Sequence, residues 1–223
     1  TGNGKSSLAN VITRTDEFRE GRYSISKTKR IQTEEFEYQG VKYQVIDTIG
    51  ISDTREGTEM SLKKVLYNLA KVGYVVKDGL SQILLVTDGT DKSWKQEISL
   101  YNLLKETIFD EKIAQYTTIV KTRFANFEDE EECEKDRQIL SKVGGEVGEF
   151  INELIDKRGN KIVYVDNPPV DIPGEGKRVE QQKKLNIETR EISREVLLEK
   201  LVAYENVYKP ENLDKLNKII VKE

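Results

Sequence analysis

The chain has 223 residues, of which 34% are charged and 36% hydrophobic, and its formal net charge is −4. This length fits one sizeable domain, alone or with an appendage, and the acidic balance argues against sequence-independent binding of nucleic acid. One cysteine and no histidine exclude a disulfide framework, histidine-based acid–base catalysis and the usual zinc sites.

The chain opens with most of a phosphate-binding loop. The full motif is Gly-x4-Gly-Lys-Ser/Thr, and the first seven residues contain its end and most of its spacer: Thr1, Gly2, Asn3, Gly4, Lys5, Ser6 and Ser7. The two glycines let backbone N–H groups approach a triphosphate closely. Lys5 is expected to reach the β- and γ-phosphates, and the Ser6 hydroxyl to ligate Mg²⁺. The alternative is a glycine-rich turn before an ordinary helix.

The motif's own opening glycine, and the strand that normally leads into such a loop, would lie upstream of Thr1. The only methionine of the chain is Met60. We therefore expect an N-terminally truncated domain that lacks its first strand. In such a domain that strand would lie between the strands that end at Asp47 and Val86.

The elements after the loop alternate between helices and strands. Residues 34–38 and 41–47 alternate around Gln39-Gly40 and predict a β-hairpin. The apolar patterns that follow predict, in chain order, a helix at 58–72, a buried strand at 82–86, a helix at 94–108, a strand at 116–120, a solvated acidic loop or helix face at 128–136, a helix at 147–155 and a strand at 161–165. This order predicts a three-layer α/β fold with a mostly parallel sheet.

The pattern changes after residue 171. Pro168-Pro169 and Pro173-Gly174 interrupt it, and a charged stretch at 177–204 with an incomplete apolar stripe follows. We therefore divide the chain into a domain at 1–171 and a C-terminal helical extension at 172–223. The predicted long helix either packs partly on the domain, leaving a face for a partner, or is mostly solvated.

A second motif makes the phosphate loop more specific. Asp47-Thr48-Ile49-Gly50 ends the second hairpin strand and matches the Asp-x-x-Gly element of GTPases. Asp47 is expected to hold a Mg²⁺-bound water, and the Gly50 N–H to sense the γ-phosphate. Thr28 is the first candidate for the switch hydroxyl that closes on Mg²⁺ and Thr33 the second. A solvent-exposed loop threonine is the alternative for Thr28.

Taken together, these residues resemble the AIG1-type (immune-associated nucleotide-binding, GIMAP-like) G domain, a P-loop GTPase family related to septins and chloroplast-import GTPases. The resemblance rests on the phosphate loop, Ser26-Lys27-Thr28, the Asp47–Gly50 element and Thr122-Arg123, and it covers residues 1–167. It implies binding of GTP or GDP with Mg²⁺, and assembly through G-domain or helical contacts. The runner-up is another septin-like GTPase.

The base-reading motif departs from the family pattern. The family string resembles Thr-Arg-Lys-x-Asp, whereas this chain has Thr122-Arg123-Phe124-Ala125-Asn126. Asn126, or Ala125 in another register, therefore stands in the slot of the guanine-binding aspartate. Asn has one acceptor oxygen where guanine needs two, so selectivity should fall by on the order of 1.5–3 kcal/mol. Phe124 either covers the base or belongs to the core.

The final base-contacting residue is predicted after the last strand. Asn167 is the candidate, and capping of the Pro168-Pro169 turn is its structural alternative.

Hydrolysis is expected to be slow. Many GTPases place a water-orienting glutamine directly after the Asp-x-x-Gly glycine, and this chain has Ile51 there. Arg55 is a speculative catalytic arginine, and an exposed loop arginine is the other interpretation. Because an arginine finger contributes ~10³–10⁵ in rate, its absence predicts slow turnover, accelerated, if at all, by dimerisation across the nucleotide face.

Two classes of function stay open at this stage. The first is a GTPase switch, and the second is a nucleotide-gated assembly module or scaffold that binds but barely hydrolyses. A P-loop NTPase of relaxed base specificity is a third. The expected ligands are GTP or GDP with Mg²⁺, and the expected partner is a second copy, through the nucleotide face or the C-terminal helix. No nucleic acid and no membrane segment in this chain are expected. The single thiol favours the cytoplasm, with membrane association through other segments left open.

Overall fold

The computed structural model describes residues 2–18, 20, 31–48, 73, 75–76, 78–90, 94–107, 109–156, 162–202 and 206–210. Several sequence-based predictions lie outside these residues and stay predictions. They are the helix at 58–72 and the candidate residues Thr1, Thr28, Gly50, Ile51 and Arg55.

The phosphate loop leads into helix α1 (Lys5–Thr13), and a β-hairpin follows, as predicted. Strand β1 (Gln32–Tyr38) pairs antiparallel with β2 (Val41–Asp47), in a register that places Gln32 opposite Asp47. The two turn residues, Gln39 and Gly40, have φ of 51° and 77°. Two central residues with positive φ give the turn a twist that matches the two strands. The hairpin thereby delivers Asp47 to the end of β2.

A second sheet is parallel, with the strand order β3-β4-β5. Its strands are β3 (Ile83–Asp88), β4 (Thr117–Thr122) and β5 (Ile162–Tyr164). The helices around it are α2 (Lys95–Thr107), α3 (Ile113–Tyr116), α4 (Glu130–Ser141) and α5 (Gly145–Asp156). These elements confirm the predicted α/β class and parallel sheet. The acidic run at 128–136 lies mainly on α4, which Asp129 caps by accepting from the N–H groups of Glu131 and Glu132.

The apolar core has two halves, one on each face of the parallel sheet. Successive strand residues alternate between them: Leu85, Ile119 and Ile162 face one half, whereas Val86, Val120 and Val163 face the other. Residues of α2 and α5 fill the first half. Residues of α1 and the long C-terminal helix fill the second. Helices on both faces of one sheet make the predicted three layers.

The long C-terminal helix α6 (Lys177–Val202) packs on the domain. Leu197 and Leu198, 0% and 2% exposed, bury against α1 and the strands. Each contributes about 1.5–3 kcal/mol by leaving water. Towards the other end of the helix, Leu185 and Ile187 are 55% and 52% exposed. Of the two alternatives from the sequence, partial packing is therefore the one observed. The domain division at residue 171 stays a prediction.

The two sheets are separate in the described part of the chain, where β2 pairs only with β1 and β3 pairs only with β4. A cavity of about 490 Å³ lies between the β2 and β3 edges. Apolar residues of α1, both edges, α2 and α6 line it, among them Leu8, Ile46, Leu84, Leu104 and Leu201. The strand expected between Asp47 and Val86 stays a prediction. Within the described ranges, no helix combines the length and apolarity needed to cross a membrane.

Candidate nucleotide-binding site

The phosphate loop adopts a backbone that only glycine takes without strain. Gly2 and Gly4 have φ of 90° and 80°, in the left-handed region. Gly4 immediately precedes α1, and its carbonyl accepts from the Leu8 N–H at 2.8 Å. A Cβ on Gly4 would lie 3.4 Å from Thr122 Oγ1. The first turn of α1 contains no acidic residue. The partial positive charge at this helix end is therefore not neutralised by its own turn, as anion binding requires.

Side chains from the parallel sheet hold the carbonyl oxygens of this loop. Thr122, the last residue of β4, donates its hydroxyl to Asn3 O at 2.9 Å. Arg123 donates from Nη2 to Gly2 O at 2.7 Å and forms an ion pair with Asp88. Burial raises the pKa of Asp88, but hydrogen bonds from Thr90 and the Arg123 charge outweigh it and leave that pKa below its usual value. The loop is thus fixed from outside by the ends of β3 and β4.

The Asn3 side chain ties the loop to the sheet and to α2. Its Nδ2 donates to Val86 O at 3.2 Å and to Glu97 Oε1 at 2.7 Å. Glu97 is 9% exposed, and its other oxygen, Oε2, is buried without a hydrogen-bond partner among the described residues. Asn3 therefore orients the loop in addition to supplying a spacer residue. The sequence motif does not assign it that role.

Two of the three residues predicted to hold Mg²⁺, Ser6 and Asp47, are in contact in the structure. Ser6 Oγ donates to Asp47 Oδ2 at 2.7 Å, although 41 residues separate them. Asp47 is 4% exposed, and burial raises its pKa, against the opposing hydrogen bond from Ser6 and the charge of Lys5. A buried carboxylate that is costly to ionise gains most from a nearby cation. A hydroxyl and a carboxylate are also the oxygen ligands that Mg²⁺ prefers.

The residue set fits Mg²⁺ that is held together with a nucleotide. The described residues contain no cluster of three or more Cys, Asp or Glu side chains able to hold a metal. Mg²⁺ sites of this kind use one or two protein ligands plus substrate phosphates. Thr33, the second switch candidate, is exposed on β1 opposite Ile46, and Thr28 is not among the described residues. The switch ligand therefore stays a prediction.

The two predicted base-contacting loops are neighbours. The Phe124 N–H donates to Val165 O at 3.2 Å, which joins the loop after β4 to the loop after β5. The Phe124 ring packs against the Tyr164 ring, with centroids 4.6 Å apart. This contact favours the alternative in which Phe124 belongs to the core. Asn126 is exposed on the turn that follows. Both amide atoms of Asn167 are buried without a hydrogen-bond partner in the described part of the chain. The Asn167 amide therefore has hydrogen-bonding capacity that the described residues do not use.

Behind the phosphate loop lies a polar cluster that joins α1 to α6. Arg190 on α6 donates from Nη2 to Ser7 Oγ at 3.2 Å and to Glu20 Oε2 at 2.9 Å. Asn10 Nδ2 also donates to Glu20, at 2.9 Å. Ser7, predicted as a nucleotide contact, therefore directs its hydroxyl to α6 and to Asn167 O, 3.5 Å away. Its direct contact with a nucleotide stays a prediction.

Sequence reasoning missed several of these residues. Asp88 could have been found, because it ends a buried parallel strand and precedes a glycine, where ligand sites of α/β folds lie. Arg123 was noted only as part of a family string, without its ion pair. Glu20, Glu97 and Arg190 carry no local signal, since each acts on residues far away in the sequence.

Comparisons with known proteins agree with the sequence motifs. The model of the AIG1 family matches residues 1–209. The immune-associated nucleotide-binding protein 10 of Arabidopsis thaliana is 28% identical over 186 residues, which is 83% of this chain. The chain spans 37% of that relative's length.

Two solved structures are similar at a low level. A dimerization-deficient mutant of Toc33 from Arabidopsis thaliana has a TM-score of 0.47 and 15% identity, with 86% of this chain and 81% of that chain covered. The bacterial dynamin GTPase LeoA from ETEC has a TM-score of 0.46 and 17% identity, and the match covers 99% of this chain and 38% of that chain.

Proposed function

Because the chain belongs to the AIG1 family, whose model matches residues 1–209, we propose that it binds guanine nucleotides through a G domain. The observation that carries the proposal is the 2.7 Å hydrogen bond from Ser6 Oγ to Asp47 Oδ2. It joins the phosphate loop to the Asp-x-x-Gly element, two motifs that are distant in sequence. The alternative, a glycine-rich turn before an ordinary helix, does not explain why these two motifs are in contact.

Each loop residue has a distinct role in this proposal. Backbone N–H groups at the start of α1 and the Lys5 ammonium bind the β- and γ-phosphates. Ser6 and Asp47 are the side chains that would hold Mg²⁺, Asp47 through a water. The ion neutralises charge on the phosphate oxygens when it is bound. Arg123 and Thr122 keep the loop carbonyls turned towards the protein, so that they do not face the anion. Gly50 is assigned to the γ-phosphate from the sequence motif alone.

We further propose that GTP hydrolysis is slow and that oligomer state is part of the output. Ile51 occupies the position where many GTPases have a water-orienting glutamine. Arg55 is the candidate catalytic arginine predicted after the Asp-x-x-Gly element. A second copy across the nucleotide face could contribute the missing group. This proposal covers both a switch and a nucleotide-gated assembly module, which differ in whether turnover accompanies assembly.

A second candidate, a P-loop NTPase of relaxed base specificity, rests on Asn126. This residue is exposed on the base-side turn, and its amide has one acceptor oxygen rather than two. Guanine loses a hydrogen bond there, whereas a base with an acceptor at the same position gains one. The two candidates differ in the ratio of affinities for different bases. They do not differ in the use of the phosphate loop.

The direct test is binding of GTP and GDP to the full chain by calorimetry, with and without Mg²⁺. We expect Mg²⁺ to strengthen GTP binding in the parent protein, and Ser6→Ala to abolish that gain. Ser141→Ala, which removes an exposed hydroxyl at the end of α4, is the matched control. Absence of any Mg²⁺-dependent nucleotide binding would refute the proposal.

The proposal that GTP hydrolysis is slow needs a separate experiment. Single-turnover GTP hydrolysis is measured across a protein concentration series. A rate that rises with concentration supports dimer-dependent hydrolysis, and a low constant rate supports a binding module. Fast turnover independent of concentration would contradict both.

A further inference from the structure

One face of helix α6 holds the loop that carries Asn167. Asn186, Arg190 and Ser193 lie at positions i, i+4 and i+7, so they share a helical face. Asn186 Nδ2 donates to Pro169 O at 2.7 Å, Arg190 Nε donates to Pro168 O at 2.7 Å, and Ser193 Oγ donates to Asp166 O at 2.6 Å. The Asp166 N–H returns a hydrogen bond to Ser193 Oγ at 3.0 Å. We call these three side chains the clasp.

Arg190 is the member of the clasp that also contacts the phosphate-loop side. Its Nη2 donates to the Oγ of Ser7, the residue after Ser6, at 3.2 Å. Its Nη1 and Nη2 donate to the two carboxylate oxygens of Glu20, at 3.0 and 2.9 Å. A planar guanidinium can make such a bidentate contact and still donate from Nε to a carbonyl, which an ammonium cannot reproduce. One side chain therefore joins α6, α1 and the loop after β5.

Burial makes these contacts effective. The Arg190 side chain is 11% exposed, and that of Glu20 is 31% exposed. Burial raises the pKa of Glu20, but hydrogen bonds from Arg190 and Asn10 and the charge of Arg190 outweigh it and leave that pKa lowered. Glu20 is therefore ionised at neutral pH and holds the guanidinium in place. By contrast, the nearby Arg14–Glu191 pair also joins α1 to α6 but is 56% and 44% exposed.

We propose that Arg190 is a positioning residue through which helix α6 sets the affinity for the nucleoside part of the nucleotide. This inference rests on the proposed nucleotide site. The clasp fixes Asp166, Pro168 and Pro169, so Asn167 between them is held before a ligand arrives. Ordering a loop in advance removes an entropic cost that binding would otherwise bear. The phosphates, in contrast, are held by the loop at residues 2–7, whose Gly2 and Asn3 carbonyls are fixed by Arg123 and Thr122. Among the described contacts, Arg190 reaches this loop at the Ser7 hydroxyl alone.

The experiment compares two ligands of the full chain in the presence of Mg²⁺: GDP, and inorganic tripolyphosphate, which has no nucleoside. Arg190→Ala removes the clasp contact, and Glu191→Ala is the matched control, since it breaks the neighbouring exposed pair on the same helix. We expect Arg190→Ala to weaken GDP binding about tenfold or more and to change tripolyphosphate binding less than about twofold. Glu191→Ala should leave both affinities unchanged. Circular dichroism checks that both variants are folded.

The outcomes separate this inference from the function on which it rests. If the parent protein binds neither ligand, the proposed function fails and the inference fails with it. If the parent binds both but Arg190→Ala loses both equally, or loses neither, the positioning role is refuted while nucleotide binding stands. Should Arg190→Ala not fold, Arg190→Lys decides. Lysine keeps the positive charge beside Glu20 but lacks the planar guanidinium that makes the bidentate contact. GDP should therefore bind more weakly to this variant while its affinity for tripolyphosphate stays unchanged. Any other result overturns the proposal.

Discussion

Replacing Asn126 by aspartate tests the assignment of the base-reading loop. Asn126 is exposed on the turn after β4, so the change should not disturb the fold. An aspartate would accept hydrogen bonds from both the N1–H and the exocyclic amine of guanine, whereas asparagine accepts one and presents an NH₂ to the other. The substitution should therefore turn an unfavourable donor–donor contact into a hydrogen bond.

The expected gain is the value of one hydrogen bond to a charged group, about 1.5–3 kcal/mol. This corresponds to a roughly 10- to 150-fold increase in GTP affinity, because about 1.4 kcal/mol is a factor of ten. Xanthine has a carbonyl where guanine has its amine, so it suits asparagine and opposes aspartate. XTP affinity should therefore fall in the variant while GTP affinity rises. ATP affinity should change little, because adenine does not present an N1–H beside an exocyclic amine as guanine does.

The assay is competition of GTP, XTP and ATP against a fluorescent triphosphate probe at constant Mg²⁺. Ala125→Asp is the matched control, since it adds the same charge one residue away on the same exposed turn. An unchanged GTP-to-XTP ratio in Asn126→Asp would refute the assignment of Asn126. A gain in Ala125→Asp alone would place the base-reading position at residue 125.

Two further perturbations test other parts of the structure. Because burial raises the pKa of Asp47, the folded nucleotide-free protein holds its proton to higher pH than the unfolded chain. Its stability should fall as pH rises past the usual carboxyl range. Asp47→Asn should flatten that profile in urea unfolding and abolish Mg²⁺-dependent GTP binding; an unchanged slope would contradict the reasoning. Asp136→Asn breaks the ion pair in which Lys121 Nζ lies 2.8 Å from Asp136 Oδ2. Because the Lys121 side chain is only 6% exposed, the substitution should lower the free energy of unfolding by about 3 kcal/mol. In thermal melts Lys135→Ala, which breaks exposed pairs only, is the control.

Local pattern was sufficient for most elements of the fold. The hairpin was predicted to within two residues, because alternation and the Gln39-Gly40 turn are properties of adjacent residues. The strands predicted at 82–86 and 116–120 each begin one residue later and end two residues later in the structure, since strand ends depend on pairing that the sequence does not show. The short helix α3 (Ile113–Tyr116) gave no signal, because four residues are too few for a helical stripe.

The sequence by itself determined the family and the residues expected to meet phosphate and Mg²⁺. These residues lie in compact motifs, Gly4-Lys5-Ser6 and the element beginning at Asp47, whose chemistry is legible from neighbours in the chain. The structure then placed the Ser6 hydroxyl against the Asp47 carboxylate, and the sequence alone could not supply that distance.

Only the tertiary structure decided how the loop and the base side are held. Arg123 reaches Gly2 across 121 residues, and Arg190 reaches Ser7 across 183. Contacts of this kind depend on which strand ends and helix faces come together in space. They leave no readable signal in the sequence, because the two residues of each contact are far apart in the chain and neither pattern indicates the other. Helix α6 was predicted as a charged helix with an incomplete stripe, and the fold alone showed that three of its polar residues hold the loop around Asn167.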